Sequence, residues 1–323
     1  MNSIVYRPLQ SSGLSSKMFD ENGEEPFKKD LLSWQSEMDY QSEYGSRKKA
    51  VKAIEKCFNK RNTILDLSNL QLTSLPKAIG DLNQLEEIDL EDNLLSSLPD
   101  EIFNLSNLKI LNLHGNAFRF ISSKISNLQN LELLNLGKNA LDSLPEEIFD
   151  LVNLRSLVLT TNRISSLSEQ IGKLQKLEVL NLDNNLLSYL PNRIGDLQNL
   201  KQIYLKDNQL LSETLPDSFF HLTQLQWIDL ANNQLTFLSE KIRNFQDLKW
   251  LNVENNLMTE LPEGIGHLEN LIHLEVVKDQ HSNGFAHLKG RHLSNTFTLP
   301  PPKQPDLKFR EYTVSVRPLT DLV

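Results

Sequence analysis

The fold is decided by a stretch typified by residues 105–118, LSNLKILNLHGNAF, in which Leu105, Leu108, Leu111, Leu113, Asn116 and Phe118 spell L-x-x-L-x-x-L-x-L-x-x-N-x-L. The pattern returns from Leu65 to Asp279. Its asparagines are Asn93, Asn116, Asn139, Asn162, Asn185, Asn208, Asn233 and Asn256, spaced by 23 residues except for 25 between Asn208 and Asn233. Leu70 and Asp279 hold the same slot one period beyond each end. A fixed period of this length predicts a solenoid, in which each turn buries its apolar face only against its neighbours.

Counted from the asparagine slot, positions −5 and −3 are apolar and sandwich one residue, as in Leu111-Asn112-Leu113. That alternation predicts a short strand with its apolar side inward. The asparagine itself is expected inside, its amide satisfying backbone groups of neighbouring turns. Positions +2 and +5 are again apolar, the latter usually followed by proline, and an isoleucine and a leucine or phenylalanine come next. This half of the repeat predicts a short helix or helical turn. With strands inside and bulkier elements outside, the expectation is an α/β solenoid bent as a horseshoe, with a parallel sheet on the concave face. Period and motif together are identified as those of leucine-rich repeats (LRRs).

The predicted organisation has four parts. Residues 1–26 are expected to be disordered, 27–60 to form a helical cap, 61–280 to hold about ten repeats, and 281–323 to form a C-terminal cap and proline-containing tail. In the cap, Phe27, Leu31, Trp34 and Met38 recur at helical spacing over roughly 27–41. Gly45-Ser46 is read as a break with Ser46 as N-cap. A second helix then sets Ala50, Val51, Ile54, Cys57 and Phe58 on one face and Arg47, Lys48, Lys49, Lys52 and Lys56 on the other. The two extra residues between Asn208 and Asn233 fall around Leu211–Thr214, as a partner-touching loop or as a tolerated insertion.

Net charge is −9, and residues 61–280 hold 17 basic against 30 acidic side chains. That balance excludes nucleic acid as the main ligand, which needs a basic footprint. It favours a protein partner with a basic patch. The single cysteine, Cys57, cannot form a disulfide-bonded cap, so a reducing compartment is expected. Residues 1–14 lack the apolar core of a Sec signal, and no run of about 18 apolar residues predicts a membrane span. The chain is expected to be a monomer in the cytoplasm, or exported without a Sec signal.

No phosphate loop, nucleophile motif or metal-spaced Cys/His set is present, so neither an enzyme, a cofactor nor a metal is expected. His281, His287 and His292 match no standard metal spacing, and Cys57 sits on an apolar helix face as a small hydrophobe. The informative positions are those expected to face solvent from the strands. Tyr204, Trp227, Trp250 and His273 form an aromatic patch, and Ile110, Leu133, Val158 and Val179 an apolar strip. Glu86, Glu87, Asp89, Glu91 and Asp92 form an acidic start. Exposed Trp and Tyr favour partner contact, whereas stacking between turns and a solvated acidic face are the plainer alternatives. Another alternative is that the tail folds back over Trp227 and Trp250.

Trp34, Gly45, Arg47, Ala50-Val51 and Cys57, followed by Leu65-Asp66-Leu67 and Leu72-Thr73-Ser74-Leu75-Pro76, resemble the cap and first repeat of LRR effectors injected by Gram-negative pathogens. Some of those effectors are ubiquitin ligases. Two departures matter. The 23-residue repeats are closer to those of Ras-suppressor-like proteins, and the 43 residues after the repeats hold no cysteine and no room for a ligase domain. The resemblance implies an adaptor-type protein, a secreted bacterial effector without ligase activity, and the outward strand columns place its partner on the concave face. The rival expectation is an intracellular scaffold that uses its convex face or the helix around Trp34.

Overall fold

The computed structural model describes residues 26–37 and 41–276. Expectations about residues 1–25, the slot at Asp279, the late histidines, the proline segment and a tail over the tryptophans lie outside the described residues.

Ten three-residue strands, from β1 (Ile64–Asp66) to β10 (His273–Glu275), form one parallel sheet in chain order. Each residue pairs with its equivalent one repeat on, as Ile110 with Leu133 and Leu111 with Leu134. A five-residue 3-10 turn follows nearly every strand on the opposite side, as Lys77–Asp81 does first and Glu263–His267 last. Proline starts six of these turns, for example Pro99 and Pro145, with a fixed φ that suits the entry. Where Ser122, Ser168 or Ser239 stands instead, its hydroxyl accepts from the backbone N–H two residues on.

The inward leucines and isoleucines are buried in one continuous core running from Phe27 to Leu268. Ladders of side chains tie its turns together. Asn162 accepts from Leu141 N–H at 3.0 Å and donates to Leu136 O at 2.9 Å and Leu159 O at 3.0 Å. Asn93, Asn116, Asn139, Asn185, Asn208, Asn233 and Asn256 bridge turns in the same way. A second asparagine ladder, absent from the sequence reading, lies nine residues before the slot. Asn107, Asn130, Asn153 and Asn199 each donate to a carbonyl of the preceding turn. A third ladder alternates charge: Lys109 meets Glu86 at 2.9 Å, and Glu178 meets both Arg155 at 2.6 Å and Lys201 at 2.7 Å.

The insertion is structural. It forms a single 3-10 turn, Ser212–Thr214, after a bridge from Leu211 to Gln234. The buried Ser212 hydroxyl accepts from Thr236 and Phe237 N–H and donates to Phe237 O at 2.7 Å.

The cap departs from expectation in several ways. The first helix, α1, runs Pro26–Ser36, so proline opens it where its missing N–H costs nothing. The second, α2, runs Gln41–Lys60 without a break at Gly45-Ser46, because a single glycine costs a helix only about 1 kcal/mol. Arg47, expected in solvent, is buried over the Trp34 ring at 4.9 Å and donates to Trp34 O and Glu37 O. A guanidinium satisfies carbonyls at the end of α1 that the helix itself leaves unpaired. Conversely, Phe58 is 39% exposed, one face stacked on Phe27 at 4.1 Å. Trp34 is only 5% exposed and donates to Ser74 Oγ at 3.0 Å, so it is spent on the first repeat rather than offered to a partner.

Candidate functional sheet face

The parallel register stacks every outward position into a column with strands about 4.8 Å apart. One column therefore carries Gln202, Trp227, Trp250 and His273 side by side, and the next carries Tyr204, Asp229, Asn252 and Glu275. The Trp227 and Trp250 rings stack at 4.1 Å and 11°. Tyr204 approaches Trp227 at 6.4 Å across the diagonal. Tyr204, Trp227, Trp250 and His273 thus come together.

The acidic start does not join them. Glu87 and Asp89 lie six strands from Trp227, roughly 30 Å at that strand spacing. Ile110, Leu133 and Val179 fall between.

Full exposure of these positions is corrected. Val179 is 2% exposed, Trp250 8%, and Leu133 and Val158 are also buried. Equivalents one turn up and down flank each of them, which an expectation from alternation alone leaves out. Ile110, Glu87, Glu91, Tyr204, Trp227 and His273 are half-buried.

Asp89, expected in solvent, is 2% exposed and accepts from Glu91 N–H at 2.9 Å. The same bond recurs along its column: Asp66, Asn112, Asn135, Asn181, Asp229 and Asn252 each accept from the backbone two residues on. Asp and Asn at this position hold the turn that leaves the strand. Val158 and Tyr204 interrupt the column. Glu86 is corrected too, since Lys109 neutralises it.

The structure adds carboxylates around the aromatic rings that the sequence reading missed. Asp183, Asp207 and Glu254 sit one or two residues before the asparagine slot, beside Asp229 and Glu275. Lys206 is the cation among them. Reading the column two before the slot (Asp183, Lys206, Ala231, Glu254) finds two of these acids. Burial, with Asp229 and Asp207 nearby, pushes the Asp183 carboxyl up to about 8 despite its bond from Lys206 N–H. Burial likewise lifts Asp229 to about 7. It drives the Tyr204 hydroxyl well above its ordinary value, aided by Asp183 and Asp229. Trp227 Nε1 and His273 Nε2 are buried and make no hydrogen bond among the described residues. Chemically, this end offers aromatic faces, donors and an excess of carboxylate, a set suited to a cation on an apolar stem.

Two family profiles match, both described as leucine-rich repeat: one over residues 83–141 and 152–210, the other over 199–222. A solved leucine-rich repeat protein of Leptospira interrogans is 36% identical with a TM-score of 0.60, over 68% of this chain and 61% of that one. A structure described as a TDR receptor is 26% identical at TM-score 0.59, over 69% of this chain and 44% of that one. The functional domain of InlJ from Listeria monocytogenes, which includes a cysteine ladder, shares the fold at 20% identity and TM-score 0.51, over 66% of this chain and 48% of that one. The chain therefore spans less than two thirds of each of these proteins. Curated proteins compared by sequence give no match. The chain is a leucine-rich repeat protein.

Proposed function

We propose that this chain is a non-enzymatic protein-interaction module, and that a basic segment of its partner lies on the sheet face over Tyr204, Trp227 and Trp250. One observation carries the reading. The aromatic stack stands among five carboxylates, Asp183, Asp207, Asp229, Glu254 and Glu275, with Lys206 as counter-charge, and burial holds two of them as weak acids at about 8 and about 7. A lysine or arginine side chain supplies the missing charge, and its methylenes and cation suit the indole faces. Stacked aromatics are also the residues in which binding energy concentrates. The acidic start, roughly 30 Å away along the sheet, takes a second basic group of the same partner only if that partner is extended.

The test is selection of random displayed peptides on the full chain, followed by calorimetry of the winners. Basic residues should be enriched. Trp227→Ala and Trp250→Ala should each cost about 2 kcal/mol. Binding should tighten from pH 6 to pH 8, as Asp229 and Asp183 ionise through about 7 and about 8. Winners without basic residues, or affinities untouched by both substitutions, sink the placement.

On the cap's resemblance we assign the module to a host cell, reached without a cleaved Sec signal. A translocation reporter fused to residues 1–60 reads this out, and a reporter that stays in the producing cell refutes it.

A further inference from the structure

We propose that Glu91, Asp92 and His114 form a binding site for a divalent first-row transition ion where the second and third repeats leave their strands. One donor atom from each lies within 4.8 Å of the others. Donors around such an ion sit roughly 3–4 Å apart at bond lengths near 2.1 Å, so small rotamer changes close the set. An imidazole with two carboxylates favours a transition ion over magnesium or calcium, which prefer oxygen alone. Glu91 and His114 are 23 residues apart in sequence, so one repeat makes them neighbours, and no local metal motif announces them.

The surroundings support the three ligands. Asn112 donates to Glu91 Oε2 at 3.1 Å, orienting that carboxylate in the manner of a group behind a metal ligand, and accepts from the backbone N–H of His114 at 3.2 Å, which fixes the chain that carries the imidazole. Among the described residues no hydrogen bond claims the His114 ring or the Asp92 carboxylate.

Two glycines leave the space these side chains use. A Cβ on Gly115 would stand 2.0 Å from Asp92 Oδ1, and a Cβ on Gly137 would stand 2.8 Å from His114 Nδ1. Backbone shape does not demand the second glycine, Gly137. Gly115 has φ +65°, but Asp92, Lys138, Thr161 and Asn184 adopt the same left-handed conformation at that slot with side chains in place. Gly137 has no positive φ. Gly137 therefore reads as room for a ligand rather than as turn chemistry, whereas Gly115 serves the left-handed turn as well as the space beside Asp92.

The experiment uses the full chain, stripped by chelator and titrated with zinc chloride in a calorimeter, with cobalt(II) absorption as a second readout. One ion per chain is expected. His114→Gln should weaken it at least about tenfold, and Asp92→Asn and Gly137→Ala should follow. Gly137→Ala keeps all three ligands and meets no left-handed backbone, so its effect separates a built cradle from loose acidic charge. Chelator-treated His114→Gln should melt with the wild type, because its ring makes no hydrogen bond to lose. Replacing His281, His287 and His292 together by Gln should leave this binding unchanged. Absent zinc binding, wild-type affinity in His114→Gln, or loss confined to the tail variant would each overturn the proposal.

Discussion

Asp229 does two opposing things. Its carboxylate holds the turn by accepting from Ala231 N–H, yet burial lifts it to about 7. The folded value lies above the unfolded one near 3.9, so the folded chain binds the extra proton between the two. Stability from this group is therefore complete below about pH 4 and falls as pH climbs to about 7. Asn112, Asn135, Asn181 and Asn252 make the same turn bond without a charge. Asp229→Asn should accordingly raise stability by about 1–2 kcal/mol at pH 8 and by little at pH 4, read by urea melts at both. Equal effects at the two pH values would remove burial of charge as the cause. Asn162→Ala should act the other way. It strands Leu141 N–H and the carbonyls of Leu136 and Leu159 inside the core, which should cost about 2–4 kcal/mol in the same melts.

Each turn is only as firm as its links to the next, because a solenoid has no contacts beyond neighbours. At the N-terminal end that link is the cap. Arg47→Ala removes the donor to Trp34 O and Glu37 O and should cost about 1–3 kcal/mol. Lysine should rescue little, since it lacks the planar fork and ring stacking. Hydrogen exchange should show protection lost first in β1 and last beyond the middle repeats; uniform loss along the sheet would refute a local role. The charge ladder is weaker. Glu178 is half-shielded between Arg155 and Lys201, and its carboxyl lies below its ordinary value because the two cations outweigh burial. Glu178→Gln should cost about 1 kcal/mol in low salt and less in 1 M salt, by chemical denaturation at both.

Across the whole molecule, acidity is spread over two centres rather than gathered at the N-terminal turns. Sheet-face binding should therefore weaken steeply with salt, and charge reversal at Asp207 or Glu254 should weaken it more than reversal at Glu87. Salt-independent affinity for a selected basic peptide would contradict that. The repeat, its strand and turn, the inward asparagines and the aromatic column were all legible in the chain, because a fixed period translates sequence distance into spatial adjacency. Arg47 was not, because helical periodicity sorts charge to the outside and cannot see carbonyls waiting on another helix. Nor was the burial of Asp89 and Val179, since alternation says which way a side chain points and not what flanks it. The cluster of Glu91, Asp92 and His114 and the room left by Gly115 and Gly137 likewise depend on side chains meeting across turns. By itself the sequence determined the solenoid, through a period that buries each apolar face against the next. Only the tertiary structure decided which outward residues hold turns, which pair in ladders and which remain for a ligand, because those roles are set by contacts one repeat away.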